Sequence, residues 1–163
     1  MINKILIVYY SRTGLTKKIA DRLQEKLKCE VEEIISVKKR PGVIGYLLSG
    51  KEASQKKAAD IRPTLKNPAN YDLVIIGTPI WSWNLSSPVR AYLMQNADHL
   101  KRVAVFCTMA GSGDKIAFTE TEKICGHKLL TSVSFLSKEI VAGKFEQKLE
   151  KFAEEAKASE LIV

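Results

Sequence analysis

Residues 5–27 read ILIVYYSRTGLTKKIADRLQEKL, and this stretch decides the fold class. The run from Ile5 to Tyr9 is continuously apolar, which is typical of a parallel strand covered on both faces. Apolar residues then recur every four positions, at Leu15, Ile19, Leu23 and Leu27. That spacing predicts one apolar face of a helix that starts near Thr13. The stretch therefore predicts a buried strand and an amphipathic helix joined by the loop SRTGLT.

The rest of the chain repeats this alternation of short apolar runs and helical periodicity. Four further runs predict strands, at residues 31–35, 73–77, 103–107 and 129–136, the first near a sheet edge. Helices are predicted after Pro88, from near Asp114, and at the C-terminus, with an apolar face of Phe145, Leu149, Phe152 and Ala156. Alternating strands and helices predict an α/β fold, a doubly wound parallel sheet with helices on both faces. No change of composition marks a linker, so we expect a single domain over residues 1–163.

The composition is that of a globular protein, with 45% hydrophobic and 27% charged residues among 163. No apolar run approaches the roughly 20 residues that span a bilayer, and the amino terminus lacks a signal-peptide pattern. We therefore expect no membrane partner and a cytoplasmic location. Cys29, Cys107 and Cys125 form no CxxC pair, and the two histidines stand apart, so we expect reduced thiols and no metal site.

The net charge of +8 admits an acidic or phosphorylated partner. The lysines are scattered and accompany no nucleic-acid-binding motif, which favours a solvated basic surface. One connection, residues 36–62, is long for this fold and contains the apolar stretch VIGYLL. We expect a helix within it, and the pattern leaves open a lid, a partner surface or a loosely packed crossover.

In doubly wound sheets, ligands bind at the carboxyl ends of the strands, next to strand 1. The loops expected there read SRTGLT (residues 11–16), TPIWSWN (residues 78–84) and TMAGSGD (residues 108–114). These loops contain both tryptophans and several of the glycines of the chain. We therefore expect the functional site to lie between them.

The first loop has the chemistry of a phosphate site. Backbone N–H groups at the start of a helix have no intrahelical acceptor, and the helix dipole favours an anion there. Ser11, Thr13 and Thr16 add hydroxyl groups, Gly14 allows close approach of the backbone, and Arg12 either pairs with phosphate or faces solvent. A helix cap followed by a turn glycine would explain the same residues without a ligand.

Other phosphate-binding classes do not fit. The chain has no GxxxxGK[ST] and no GxGxxG at the first turn, which argues against a P-loop nucleotidase and ordinary dinucleotide binding. Cys107 precedes no arginine in its loop, which argues against a cysteine phosphatase. The strand ends carry no carboxylate of the kind that is phosphorylated in response regulators.

The second and third loops suit a planar ligand. Trp81 follows Pro79 at a strand end, where an aromatic ring can cover one face of a heterocycle; core packing is the alternative for it and for Trp83. The small residues of the third loop expose backbone groups that can bond a ring edge, or else form a turn before a helix capped by Ser112 or Asp114.

Taken together, the three loops make the chain similar to the flavodoxin-like family of FMN-binding proteins, over essentially its whole length. The resemblance implies a three-layer sandwich with a five-stranded parallel sheet in the order 2-1-3-4-5, and the short-chain form of the family. It implies FMN as cofactor, with the phosphate held by Ser11, Arg12, Thr13, Gly14, Leu15 and Thr16. It implies that the isoalloxazine lies between Thr78, Pro79, Ile80, Trp81 and Ser82 on one side and Thr108, Met109, Ala110, Gly111, Ser112 and Gly113 on the other, with Trp81 stacking.

Two departures bear on the function implied by this resemblance. Flavodoxins are typically acidic, whereas this chain is basic, and its third loop lacks a second stacking aromatic residue. The resemblance implies a flavoprotein of electron transport whose redox partner is a protein. The alternative is an oxidoreductase that passes electrons from NAD(P)H to a quinone or another small acceptor, and a nucleic-acid-binding module is the weaker alternative. The pattern leaves open a carrier or an enzyme, and also a homodimer.

Overall fold

The computed structural model of the protein describes residues 4–38 and 42–158, without the side chains of Val43, Tyr46 and Ser54. The strands are β1 (Ile5–Tyr9), β2 (Glu30–Glu33), β3 (Leu73–Trp81), β4 (Asn84–Leu85), β5 (Val103–Met109) and β6 (Ser132–Leu136). Five of them form a parallel sheet in the order β2-β1-β3-β5-β6, and the short β4 pairs antiparallel with β3. The predicted order of five parallel strands is therefore confirmed, with β4 as an addition.

Helices cover both faces of this sheet. They are α1 (Leu15–Leu27), α2 (Gly42–Ser54), α3 (Ser87–Asn96), α4 (Asp114–Cys125), α5 (Ser137–Val141) and α6 (Glu146–Ala158). One core lies between the sheet and helices α1 and α6, and a second lies between the sheet and helices α2, α3 and α4. The three-layer α/β prediction is confirmed.

Strand β1 shows why its sequence is apolar at every position. Ile5, Ile7 and Tyr9 belong to the core under α1 and α6, while Leu6 and Val8 belong to the opposite core. Successive side chains of a strand point to opposite faces, so a strand covered on both sides buries all of them. By contrast, β2 pairs only with β1, and its more polar sequence fits its place at the sheet edge.

Several element boundaries differ from the sequence-based expectation. Helix α1 begins at Leu15 rather than near Thr13, and β6 begins at Ser132 rather than at residue 129. A short helix, α5, lies between β6 and the last helix. The largest difference is in β3, which continues to Trp81 because Thr78 and Pro79 still pair with β5 and residues 80–81 pair with β4.

The long connection at residues 36–62 contains the expected helix, α2. Its two ends are joined by an antiparallel bridge between Ser36 and Ile61. The N–H of Val37 donates to the carbonyl of Asp60 over 2.9 Å, and the N–H of Arg62 donates to the carbonyl of Ile35 over 2.8 Å. The connection is therefore anchored at its base, and α2 projects from that anchor across the sheet. Residues 39–41 of this connection lie outside the described residues.

Within the described residues, none of the helices is both long enough and apolar enough to cross a bilayer.

Candidate cofactor-binding site

The first loop ends in an open helix terminus. Gly14 precedes α1 with a φ of 96°, a left-handed conformation that glycine adopts without steric cost. Its N–H donates to the Ser11 hydroxyl over 3.0 Å, which closes the loop on itself. Among the described residues, no side chain caps the amino end of α1, and the first turn of the helix contains no acidic residue. The N–H groups of that turn are therefore placed to bind an anion.

The three hydroxyl side chains of this loop have different surroundings. Thr13 is exposed, and Ser11 is half-buried where it accepts the bond from Gly14. Thr16 is only 2% exposed, and its Oγ1 lies 2.8 Å from Oγ1 of Thr108 at the end of β5. Thr13 is thus the hydroxyl open to a ligand, whereas Thr16 joins the first loop to the third.

The second loop is a tight hairpin rather than an outward-turning loop. Trp81 pairs with Asn84, and the two residues between them, Ser82 and Trp83, have φ values of 45° and 62°. Positive φ at both central residues matches the turns whose twist suits a two-residue hairpin. The buried Thr78 hydroxyl holds the base of this hairpin, because it lies 3.1 Å from the Ser86 hydroxyl and accepts the Ser86 N–H over 3.2 Å.

The hairpin places its two tryptophans in opposite environments. Trp81 is 6% exposed and belongs to the core, where its ring meets Tyr10 edge-on at a centroid distance of 5.5 Å. Trp83 at the tip is 63% exposed, and its Nε1–H donates to the Ser112 hydroxyl over 3.1 Å. Sequence reasoning favoured Trp81 for stacking, but the exposed ring beside the third loop is that of Trp83. The alternation of residues along a strand would not reveal this, since Trp83 lies in the turn.

The third loop packs directly against the hairpin. Met109 is buried, and the chain then exposes Ala110, Gly111 and Ser112. A Cβ on Gly113 would lie 2.5 Å from Cα of Trp83 and 2.8 Å from Cγ2 of Ile80. Only a residue without a side chain allows this approach. Gly113, with a φ of 113°, is also the N-cap of α4, in place of the expected Ser112 or Asp114.

The structure therefore brings the three predicted loops to one edge of the sheet. Thr16 and Thr108 join the first loop to the third, and Gly113 and Trp83 join the third to the second. Of the predicted cofactor-binding residues, Thr78, Thr108, Thr16, Trp81 and Met109 are buried. The remaining ones are partly or fully exposed, apart from Gly113, whose backbone is covered. The exposed members, with Trp83 added, form the surface that a ligand can reach.

A buried ion pair is hydrogen-bonded to the hairpin at Asn84, and sequence reasoning did not single it out. Arg90 of α3 is buried; its Nη2 donates to Oδ1 of Asn84 over 3.0 Å and its Nη1 donates to Oε2 of Glu120 over 3.1 Å. Lys56 donates to the other Glu120 oxygen over 2.9 Å. The hydrogen bond from Lys56, followed by that from Arg90, lowers the pKa of Glu120 below its usual value, although burial opposes this. An arginine within the apolar run of residues 88–93 is the signal that could have located it.

Comparison with known proteins agrees with this geometry. The family model for flavodoxin matches residues 4–155. The chain belongs to the flavodoxin family. This confirms the family that the three loops predicted for this flavodoxin-family protein. A flavoprotein from Lactobacillus acidophilus NCFM, solved in complex with FMN, is 26% identical with a TM-score of 0.71, and the match covers 85% of this chain and 97% of that one.

Two further relatives extend the comparison. A flavodoxin from the domain Archaea shares the fold at 16% identity and a TM-score of 0.55, and the match covers 95% of this chain and 99% of that one. The NAD(P)H dehydrogenase (quinone) of Cupriavidus metallidurans is 30% identical over 96 residues, which are 58% of this chain. The match spans 47% of that relative, about half of its length.

Proposed function

We propose that this flavodoxin-family protein binds FMN at the edge where the three loops meet, and transfers electrons through it. The observation that carries the proposal is the convergence of an uncapped helix terminus, an exposed tryptophan and a glycine-rich loop at the carboxyl end of the sheet. FMN as cofactor agrees with the family and with the flavoprotein from Lactobacillus acidophilus NCFM.

The residues of the first loop fit the phosphate end of FMN. A phosphate monoester offers acceptor oxygens, and α1 offers its first-turn N–H groups without an acidic residue in that turn. The Thr13 hydroxyl is exposed beside them. Space around Gly14 is open, since a Cβ placed there meets no atom within 4 Å. The donor set therefore suits an anion such as a phosphate.

The second and third loops fit the ring end. Ala110, Gly111 and Ser112 expose backbone groups, and the adjacent Trp83 exposes an aromatic face. We assign ring contact to Trp83 together with Pro79, Ile80 and Ser82. Trp81 supports them from the core through its contact with Tyr10.

FMN, when bound, supplies the one- and two-electron chemistry. The chain binds the phosphate at α1 and orients the ring between two loops. The contact of Gly113 with the turn fixes the distance between those loops. A cofactor that supplies the redox chemistry and a protein that binds and orients it agree with a site that offers hydroxyl groups, backbone amides and an aromatic ring.

A second candidate function is an NAD(P)H-dependent reductase of quinones or similar acceptors. The observation that favours it is the likeness to the NAD(P)H dehydrogenase (quinone) of Cupriavidus metallidurans. The two candidates differ in the electron donor. Rapid anaerobic bleaching of the flavin by NADPH supports the reductase, and reduction only through a partner protein supports the carrier.

The remaining expectations stay predictions. We propose a cytoplasmic location because Cys29, Cys107 and Cys125 are free thiols. A single domain over residues 1–163 is likewise proposed. The nucleic-acid alternative predicts salt-sensitive binding that persists without flavin.

A flavin titration tests the proposal. The apoprotein is titrated with FMN while flavin fluorescence is followed, and riboflavin, which lacks the phosphate, serves as the matched ligand. We expect saturable binding of FMN, with weaker binding of riboflavin because the α1 terminus is left unfilled. A protein that takes up neither flavin would refute both the carrier and the reductase.

A further inference from the structure

Among the side chains of helix α2 that the structure describes, small residues are buried and large apolar ones are exposed. Its inward face is formed by Gly45, Ser49 and Ala53, which recur every four residues and are all buried. Its outward face carries Ile44, Leu47 and Leu48, which are 83%, 64% and 39% exposed. We call these three residues the α2 patch. A helix that packs only against its own protein is expected to bury such side chains, so the α2 patch has the character of a contact surface.

Exposed lysines lie on helix α2 and before and after it, at Lys38, Lys51 and Lys57, and we call them the basic rim. Lys51 lies four residues after Leu47, on the same helix face, and is exposed. Lys38 precedes the helix and Lys57 follows it, and both are also exposed. The whole chain carries a net charge of +8. An apolar centre with a basic rim complements a partner that has an apolar spot within an acidic surface.

Helix α2, which carries the patch, also contacts the hairpin of the candidate cofactor site. Gly50 of α2 packs against the hairpin turn so closely that a Cβ on it would lie 2.8 Å from Oγ of Ser82. Ser82 is the neighbour of Trp83, the exposed ring at the tip of that turn. A protein seated on α2 would therefore lie beside the site at which electrons enter or leave.

We propose that the α2 patch and its basic rim form the docking surface for an acidic electron-transfer protein. The inference rests on the proposed FMN function and names the class of its partner. A second copy of the chain is the poorer occupant, because two copies facing each other through α2 would bring their basic rims together. The same rim draws an acidic carrier toward the flavin and raises its association rate.

The test uses the FMN-loaded protein and a purified acidic [2Fe–2S] ferredoxin as the probe. Reduced ferredoxin is mixed with the oxidised flavoprotein under anaerobic conditions; its cluster loses one electron and the bound flavin gains one. The second-order rate constant is measured by stopped-flow absorbance over a range of ionic strength. We expect it to fall steeply with salt, and Lys51→Glu to lower it on the order of tenfold at low salt.

Matched variants separate docking from general effects. Leu47→Gln removes an apolar contact from the α2 patch, and we expect it to lower the rate constant several-fold at every salt concentration. Met94→Gln makes the same kind of change on α3, where Met94 is also exposed. Lys101→Glu reverses an exposed charge just before β5, at the amino ends of the strands and so away from the candidate site. We expect both control variants to react at nearly the rate of the unchanged protein.

Each other outcome overturns the inference. Equal rate constants for the α2 variants and their controls, in protein that is loaded with FMN, would refute the docking surface and leave the FMN proposal intact. Failure of the unchanged protein to take up FMN, read from its flavin absorbance beforehand, refutes the proposed function itself. Sedimentation that shows Leu47→Gln converting a dimer to a monomer assigns the patch to a second copy. The protein is also sedimented with vesicles of equimolar phosphatidylcholine and phosphatidylserine. If it cosediments with them and Leu47→Gln abolishes this binding, the α2 patch binds a lipid surface.

Discussion

Oγ1 of Thr16 on α1 and Oγ1 of Thr108 at the end of β5 lie 2.8 Å apart in a buried position. Strand β3 lies between β1 and β5 in the sheet, so this bond connects loops that belong to strands without direct pairing. It fixes the helix terminus that faces the expected phosphate relative to the loop that faces the expected ring. The bond therefore joins the two halves of the candidate site.

Removing both of these hydroxyls is expected to cost less stability than the two single removals added together. Thr16→Val or Thr108→Val leaves a buried partner unsatisfied, which should lower the free energy of unfolding by about 1–3 kcal/mol. The double variant should lose less than the sum of the two single losses. Urea denaturation of the four apoproteins measures this cycle, and additive losses would argue against the bond.

Thr13→Ala tests the phosphate end of the site. Thr13 is exposed, so its hydroxyl contributes little to folding, and we expect the free energy of unfolding to be nearly unchanged. FMN affinity should fall about tenfold because one hydrogen bond to a charged group is lost. Riboflavin affinity should stay the same. Affinity for both flavins is measured by fluorescence titration. An equal loss of affinity for FMN and riboflavin would show that Thr13 does not contact the phosphate.

The two tryptophans are expected to respond to alanine in different ways. Trp81→Ala removes a buried ring and should lower the free energy of unfolding by about 3–5 kcal/mol, and flavin affinity should fall with it. Trp83→Ala removes an exposed ring and should change stability little while it weakens both FMN and riboflavin. Urea denaturation and flavin titration of both variants separate the roles. If the Trp83→Ala protein binds flavin with normal affinity, Trp81 would be the stacking residue.

Gly113→Ala is expected to disrupt the contact between the second and third loops. An added Cβ meets the backbone of Trp83 at 2.5 Å, in addition to the strain of a φ of 113°. Gly126→Ala is the matched control, because Gly126 has a φ of 77° but open space around its Cβ. In Gly126→Ala we expect the free energy of unfolding to fall by about 1 kcal/mol from backbone strain alone. Gly113→Ala should lower the free energy of unfolding further, and it alone should lose flavin affinity. Equal effects on both proteins would show that the contact is unimportant.

The buried pair of Arg90 and Glu120 should shape the acid side of the stability profile. The pKa of Glu120 is lowered in the folded protein from its ordinary value of 4.5, first by the hydrogen bond from Lys56. Its ionised form therefore adds stability above that value, and the contribution disappears as pH falls through the lowered pKa. Glu120→Gln should lose about 3 kcal/mol at neutral pH, since Arg90 is left buried without its charge partner.

Below pH 4.5, the difference between Glu120→Gln and the unchanged protein should shrink. Urea midpoints measured from neutral to acid pH check this. Glu25→Gln is the control, because Glu25 pairs with Arg22 on the exposed surface, where ion pairs contribute little. A constant difference at all pH values would show that Glu120 acts through packing and not through its charge.

The fold was accessible from sequence because its signals are local. The continuous apolar run of β1 and the four-residue spacing in α1 arise from burial on both faces of a strand and on one face of a helix. The predicted order of the five parallel strands is confirmed. The site was predicted as three loops at one edge for the same reason, since strand direction alone decides which loops share that edge.

What the residues do within those loops was not accessible in the same way. Thr16 and Thr13 are both threonines of one loop, yet one is buried against Thr108 and the other faces solvent. The two tryptophans reverse the expected exposure because β3 continues into a hairpin whose tip carries Trp83. Ile44, Leu47 and Leu48 of α2 face outward, although an apolar helix is normally expected to bury such side chains.

By itself, the sequence predicted the strands, the helices and the edge expected to hold the site, because these follow from periodicity and from the direction of parallel strands. The family and the order of strands came from the resemblance that its three loops carry. Tertiary structure alone decided which hydroxyl is open, which tryptophan is exposed and which face of α2 meets solvent. Those outcomes depend on contacts between residues far apart in the chain, such as Thr16 with Thr108, Gly113 with Trp83 and Gly50 with Ser82. Such contacts leave no periodic signal, because each joins two segments that meet only in the folded protein.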